Sequence, residues 1–154
     1  MTNDSLLDQL HQFVAEVLDF RPIVAVSPNL RGGLADTPAL AVAVHSDKGA
    51  PMIVLDAGYT RWPADELIHT YCHEVAHHRL HHVHEAARLG LKAPPGSITQ
   101  AGALQYERNE RTAEQVAKSY VKGFEKWREK AQIRQIQEDI KFIKWALRQR
   151  GLVK

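Results

Sequence analysis

The sequence predicts an α+β fold: a small three-stranded sheet, antiparallel or mixed, packs on a histidine-rich helix, and a long helical part follows. Three observations predict it. Apolar residues recur at helical spacing through the first eighteen positions, three short Val- and Ile-rich runs separated by turn residues come next, and a helical period returns after residue 62. At 154 residues the chain has the length of one domain. Its 44% hydrophobic and 25% charged content argues against disorder, collagen and a membrane bundle.

Leu6, Leu7, Leu10, Phe13, Val14, Val17 and Leu18 define the first helix, with Asn3, Asp4 and Ser5 as candidate caps. Arg21-Pro22 should end it, because the residue before a proline avoids the α region. Residues 23–27, 39–45 and 52–56 read as strands, divided at Pro28-Asn29, Arg31-Gly32-Gly33 and Lys48-Gly49. Pro63 suits a first helical position, and Asp65 and Glu66 suit the positive end of the helix it opens. Leu67, Ile68, Tyr71, Cys72, Val75 and Leu80 supply the buried face of that helix, which Gly90 and Pro94-Pro95-Gly96 should break. Residues 88–105 read as a partly irregular connection. A further helix from about Tyr106 carries Ala113, Val116, Ala117, Tyr120, Val121 and Phe124 on one stripe, with Gly123 as a candidate break. Ile133, Ile136, Ile140, Ile143 and Leu147 then alternate by three and four, an a/d seam two heptads long.

Charge divides the chain. From Lys118 onward eleven basic residues face four acids, +7, whereas the remainder carries −5, so the overall +2 hides an acidic body and a basic tail. We therefore read residues 1–122 as one domain and residues 123–154 as a basic helical extension packed on it or continuous with it. Such a tail suits a solvated helix face or a weak nucleic-acid contact, and the isoleucine seam suits self-association. No run reaches the ~18 apolar residues of a membrane span. The acidic N-terminus lacks the basic-then-apolar order of a signal peptide, so a cytoplasmic location is expected. A single cysteine, Cys72, excludes an internal disulfide framework and reads as a buried structural thiol.

Nine histidines stand out, seven of them between positions 69 and 84. His73-Glu74-Val75-Ala76-His77 fits H-E-x-x-H. Residues four apart share a helix face, so His73 and His77 can each offer a ring nitrogen to one Zn²⁺. Glu74 projects beside the pair, where it can take a proton from a zinc-bound water attacking a carbonyl. His69 and His81 extend the same face by one turn each way; either can serve as an outer partner of the metal site, and the reading preferred for both is solvent-exposed. His78, His82 and His84 fall off the line and read as surface residues. A catalytic zinc takes three protein ligands. The metzincin pattern would need Gly at position 80 and His at position 83; Leu80 and Val83 exclude it. Glu110 and Glu107 are the candidate third ligands, and Glu114, one turn beyond Glu110, can hydrogen-bond the free nitrogen of a ligand histidine.

The stretch His73-Glu74-Val75-Ala76-His77-His78-Arg79-Leu80-His81, followed by Glu110-Arg111-Thr112-Ala113-Glu114-Gln115-Val116-Ala117, resembles the two motifs of the ImmA/IrrE family of zinc metallopeptidases, within the gluzincin group. The resemblance covers residues 6 to 120, and Glu114 stands where that family carries Asn or Asp. It implies a zincin-like fold, Glu110 as the ligand that completes the zinc site, and a cytoplasmic endopeptidase of restricted specificity. Relatives of this kind cleave transcriptional repressors in phage, mobile-element or stress-response regulation, which makes a repressor the implied protein substrate.

In this reading Glu74 is the general base, Tyr106 or Tyr120 is the oxyanion donor, and the substrate adds as a strand beside residues 52–56 or 39–45. Two rival readings remain. A DNA-recruited, SprT-like protease would use the basic tail with Trp127 and Trp145 interleaved, but it calls for a third histidine downstream, and none follows His84. A non-catalytic, zinc-stabilised interaction module would be built around the isoleucine seam.

Overall fold

The computed structural model describes residues 1–28, 30, 40–83 and 100–153. The predicted turn at Arg31-Gly32-Gly33, the predicted first strand residue Ala39, the predicted break at Gly90 and Pro94-Pro95-Gly96, and His84 lie outside them. The order of elements is α1 (Asn3–Leu18), β1 (Ile23–Ser27), β2 (Ala41–His45), β3 (Pro51–Asp56), a 3-10 turn (Ala57–Arg61), α2 (Ala64–Arg79) and α3 (Gln100–Gln149). The chain divides into two units, residues 1–121 and 122–154. No helix among the described residues is long and apolar enough to cross a membrane.

The first unit is α+β, as expected. In α1 the buried residues Leu6, Leu10, Phe13 and Val14 follow the three-and-four spacing of one face. The cap is Thr2, just before the three expected candidates; its hydroxyl accepts from the Ser5 N–H at 3.2 Å. The helix ends before Pro22 is reached. Asp19 turns left-handed (φ 49°), and the Phe20 N–H closes back onto the Val14 carbonyl.

The sheet is mixed, in the order β1-β3-β2. β3 pairs in parallel with β1, Ala25 opposite Val54, and antiparallel with β2, Ala43 opposite Ile53. As the central strand, β3 is buried hardest: Ile53 and Leu55 expose nothing. Both of its edges are taken, which corrects one expectation. A substrate strand cannot add beside residues 52–56, whereas among the described residues β2 is an edge strand.

α2 is the axis of the unit. Leu67, Tyr71, Cys72, Val75 and Ala76 are fully buried, against α1 on one side and β2 and β3 on the other. Each side chain of leucine size removed from water in this way contributes about 1.5–3 kcal/mol. From residue 66 to residue 78 every position of α2 is at least partly buried. Tyr71 meets His11 of α1 at 3.0 Å, and the His78 Nε2–H donates to the Met52 carbonyl of β3 at 2.8 Å, so polar contacts tie the helix to both layers. Pro63 precedes the helix as its cap, one position before the expected place. The helix also stops at Arg79, well short of Gly90, because His81 adopts a left-handed conformation (φ 60°).

α3 begins at Gln100, inside the stretch read as irregular, and passes Gly123 without interruption. A lone glycine costs a helix only ~1 kcal/mol, too little to break one supported on both sides by good helix formers. In the first unit α3 buries Asn109, Ala113 and Ala117. In the second unit Phe124 stacks on Trp127 at 6.0 Å, and the Arg128 guanidinium lies 5.4 Å from the Phe124 ring centre. Gly151 ends the helix with φ 68°, a conformation that suits a residue without Cβ, and the Leu152 N–H closes onto the Leu147 carbonyl.

Candidate metal centre

Three stripes run along α2, each made by residues four apart. Leu67, Tyr71 and Val75 form a core stripe. Thr70, Glu74 and His78 form a stripe on the sheet side: Glu74 takes a backbone hydrogen bond from Ala43 of β2, and His78 reaches β3. His69, His73 and His77 form the third, which meets α3. One helical rotation thus assigns the apolar residues, the proposed base and the histidines to different neighbours.

Two of the stripe's three histidines, His73 and His77, converge on Glu110. His73 Nε2 and His77 Nε2 are 3.0 Å apart, and each lies 3.0 Å from a Glu110 oxygen, Oε2 and Oε1 respectively. A tetrahedral ion with bonds of ~2.0–2.1 Å separates its ligand atoms by roughly 3.3–3.4 Å. The donors therefore need to move apart by only a few tenths of an ångström to hold one. Two imidazole nitrogens and a carboxylate facing one point form a set with more acceptors than protons, and a divalent cation satisfies it. His73, His77 and Glu110 can hold a metal ion; His69, His73 and Glu114 form a second, overlapping group of the same kind.

Glu107 is exposed on α3, and among the described residues no hydrogen bond joins it to the histidines, whereas Glu110 meets both. Glu114 lies where an outer partner would: its Oε2 is 3.1 Å from His73 Nδ1, and its Oε1 is 2.9 Å from His69 Nε2. His69 is thus half-exposed yet bonded to Glu114. Its position four residues before His73 signalled that option.

Charges at the centre are strongly coupled. Burial lowers the His73 pKa, but the hydrogen bond to Glu110 and the charges of Glu74, Glu110 and Glu114 outweigh it and hold the group above its ordinary value. Hydrogen bonds from His73 and His77 hold the Glu110 carboxyl well below the usual carboxylate range, against the effect of burial. Glu74 is 8% exposed. Burial pushes its carboxyl up, the His77 and His73 rings and the Ala43 backbone pull it down, and the balance remains a rise. A carboxyl raised in this way sits nearer neutrality, where one group can both take and return a proton.

An open cleft of about 260 Å³ lies beside the centre, lined by Leu40, Ala41, His69, Thr70, His73, Glu74 and Glu114. Leu40 and Ala41 bring the edge strand to it. Tyr106, on α3 one turn before Glu110, is raised by burial and by the charges of Glu110 and Glu74, which keeps its phenol protonated and able to donate.

Two histidines read as surface residues are buried. His78 is 7% exposed, held by Met52, with the His45 ring 5.5 Å away. His82 is 8% exposed and lies 3.0 Å from His77, Nδ1 to Nδ1. No spacing rule on α2 finds His82, because the helix has already ended. The turn at His81 brings it back.

No family model matches the chain, and no curated protein or solved structure matches it either.

Proposed function

We propose that this chain is a zinc-dependent endopeptidase with a zincin-like arrangement, similar to the ImmA/IrrE metallopeptidases in its two motifs and acting on a specific protein substrate such as a transcriptional repressor. One observation carries the reading: His73, His77 and Glu110 meet within 3.0 Å of one another, with the buried Glu74 adjacent on the same helical turn. The donor set of two imidazole nitrogens and one carboxylate suits zinc and leaves a fourth position open. When bound, zinc supplies a water whose pKa falls toward ~7 and a Lewis acid for the scissile carbonyl.

The chain's own residues do the rest. Glu74 accepts the proton of the attacking water and returns it to the leaving amine. Tyr106 donates a hydrogen bond from its phenolic O–H to the carbonyl oxygen as charge builds there. Glu114 fixes the His73 ring with Nδ1 protonated and Nε2 free to bind. The edge of β2 that no described strand pairs with binds the substrate as an added strand, through main-chain hydrogen bonds, along the wall of the cleft.

The test has two parts. Protein purified in trace-metal-free buffer and reloaded should hold one zinc per chain, and His73→Ala or Glu110→Ala should abolish this. Against a peptide library, the wild-type chain should cut and Glu74→Gln should not, although the variant keeps its zinc. A Glu74→Gln variant that cuts at the wild-type rate would remove Glu74 from the mechanism.

The exposed isoleucine seam of the second unit favours a further property, self-association of the chain through that helix.

A further inference from the structure

His77 presents two ring nitrogens to two different neighbours. Its Nε2 faces His73 and Glu110, and its Nδ1 faces His82 Nδ1 at 3.0 Å, with ring centres 5.2 Å apart and ring planes at 63°. The backbone makes that second contact possible. After α2 the Leu80 N–H bonds the Ala76 carbonyl and the His81 N–H bonds the His78 carbonyl; His81 is left-handed, and the chain is helical again at His82 and Val83. A left-handed residue with a side chain costs roughly 1–2 kcal/mol. It persists here at the one position that returns His82 to His77.

We propose that His82 is a positioning residue for the metal centre: it accepts a hydrogen bond from His77 Nδ1–H and so holds the His77 ring with Nε2 unprotonated and aimed at the ion. The inference rests on the reading that a metal is bound by His73, His77 and Glu110. A histidine that binds a metal through Nε2 carries its remaining proton on Nδ1 and needs an acceptor there. His82 supplies one as a neutral ring protonated on Nε2. Glu114 does the same for His73 with a carboxylate. The two ligand histidines are therefore braced by different acceptors, one from α3 and one from the turn after α2.

Two substitutions at one site separate this role from packing. His82→Phe keeps an aromatic ring and removes the acceptor. His82→Asn places a carbonyl oxygen close to where Nδ1 lies. Zinc affinity, measured on the full chain by competition with a chelating dye, should fall about 10- to 100-fold in His82→Phe and largely recover in His82→Asn. The Co²⁺ absorption spectrum of the loaded protein should change in His82→Phe and resemble wild type in His82→Asn. Thermal melting of the metal-free proteins reports any general damage. Wild-type zinc affinity in His82→Phe would overturn the proposal, and so would equal weakening in both variants, which would make the role one of packing. If the wild-type chain holds no zinc, or His73→Ala holds it as well as wild type, the metal reading fails and the role of His82 fails with it.

Discussion

The two units treat the same kind of residue in opposite ways. In residues 1–121 Ile53 exposes none of its surface, and Leu10, Leu67 and Val75 are equally closed. In residues 122–154 Ile133, Ile136, Ile140 and Ile143 are 46–58% exposed, and Phe142 and Trp145 are more than half exposed. Both sets keep a regular apolar period. The first unit meets that period with a second layer, since α1, the sheet and α2 each cover another's apolar face. The second unit is a helix that, taken by itself, presents its stripe. A period says which residues share a face; what covers the face depends on partners elsewhere.

Substitutions should separate the units sharply. Phe13→Ala empties a fully closed site between α1 and its neighbours and should cost about 3–5 kcal/mol in urea unfolding. A loss below about 1 kcal/mol would mean that the first unit is not the packed body described above.

Next in size is an effect of pH. Burial pushes the Cys72 thiol from 9.0 to about 12, so the folded state holds its proton more tightly than the unfolded state. The stability that this contributes is fully present below pH 9 and is lost as pH rises toward about 12. In a native protein at pH 8, Cys72 should therefore resist a soluble disulfide reagent and react at once in denaturant. Immediate labelling of the native chain would place Cys72 outside the core.

The smallest effect belongs to the second unit. Ile136→Lys should change unfolding stability by no more than about 0.5 kcal/mol. If the seam joins copies of the chain, the same change should remove any concentration-dependent rise in mass in sedimentation. A large stability loss in dilute solution would erase the contrast between the units.

Much of the first unit is legible from local spacing. The four-residue interval of His73 and His77, the apolar face of α1 and the β-branched strand runs all depend on residues close in sequence, where chain geometry alone sets who faces whom. Other features depend on partners distant in sequence. That β3 is central, with Ala25 opposite Val54 and Ile53 opposite Ala43, is a matter of pairing that no single strand carries. The burial of His78 depends on the Met52 carbonyl, 26 residues away. The early end of α2 carries no stop signal in the sequence, because the residue that turns left-handed is a histidine rather than a glycine. Gly123 misled in the opposite sense, as a weak breaker inside a long run of good helix formers.

The partly or wholly buried surface of α2 has a further consequence. Between residues 66 and 78, core, sheet and ligand demands interleave, and every position is at least partly buried. A rotation of the helix by a single residue would trade all three assignments at once, so its fold and its chemistry are specified by the same side chains. Such a segment has no silent positions: random variation should leave the fewest survivors there. Changes that adapt this protein to new surroundings have to accumulate elsewhere, on surfaces such as the tail helix, where side chains answer to one demand at a time.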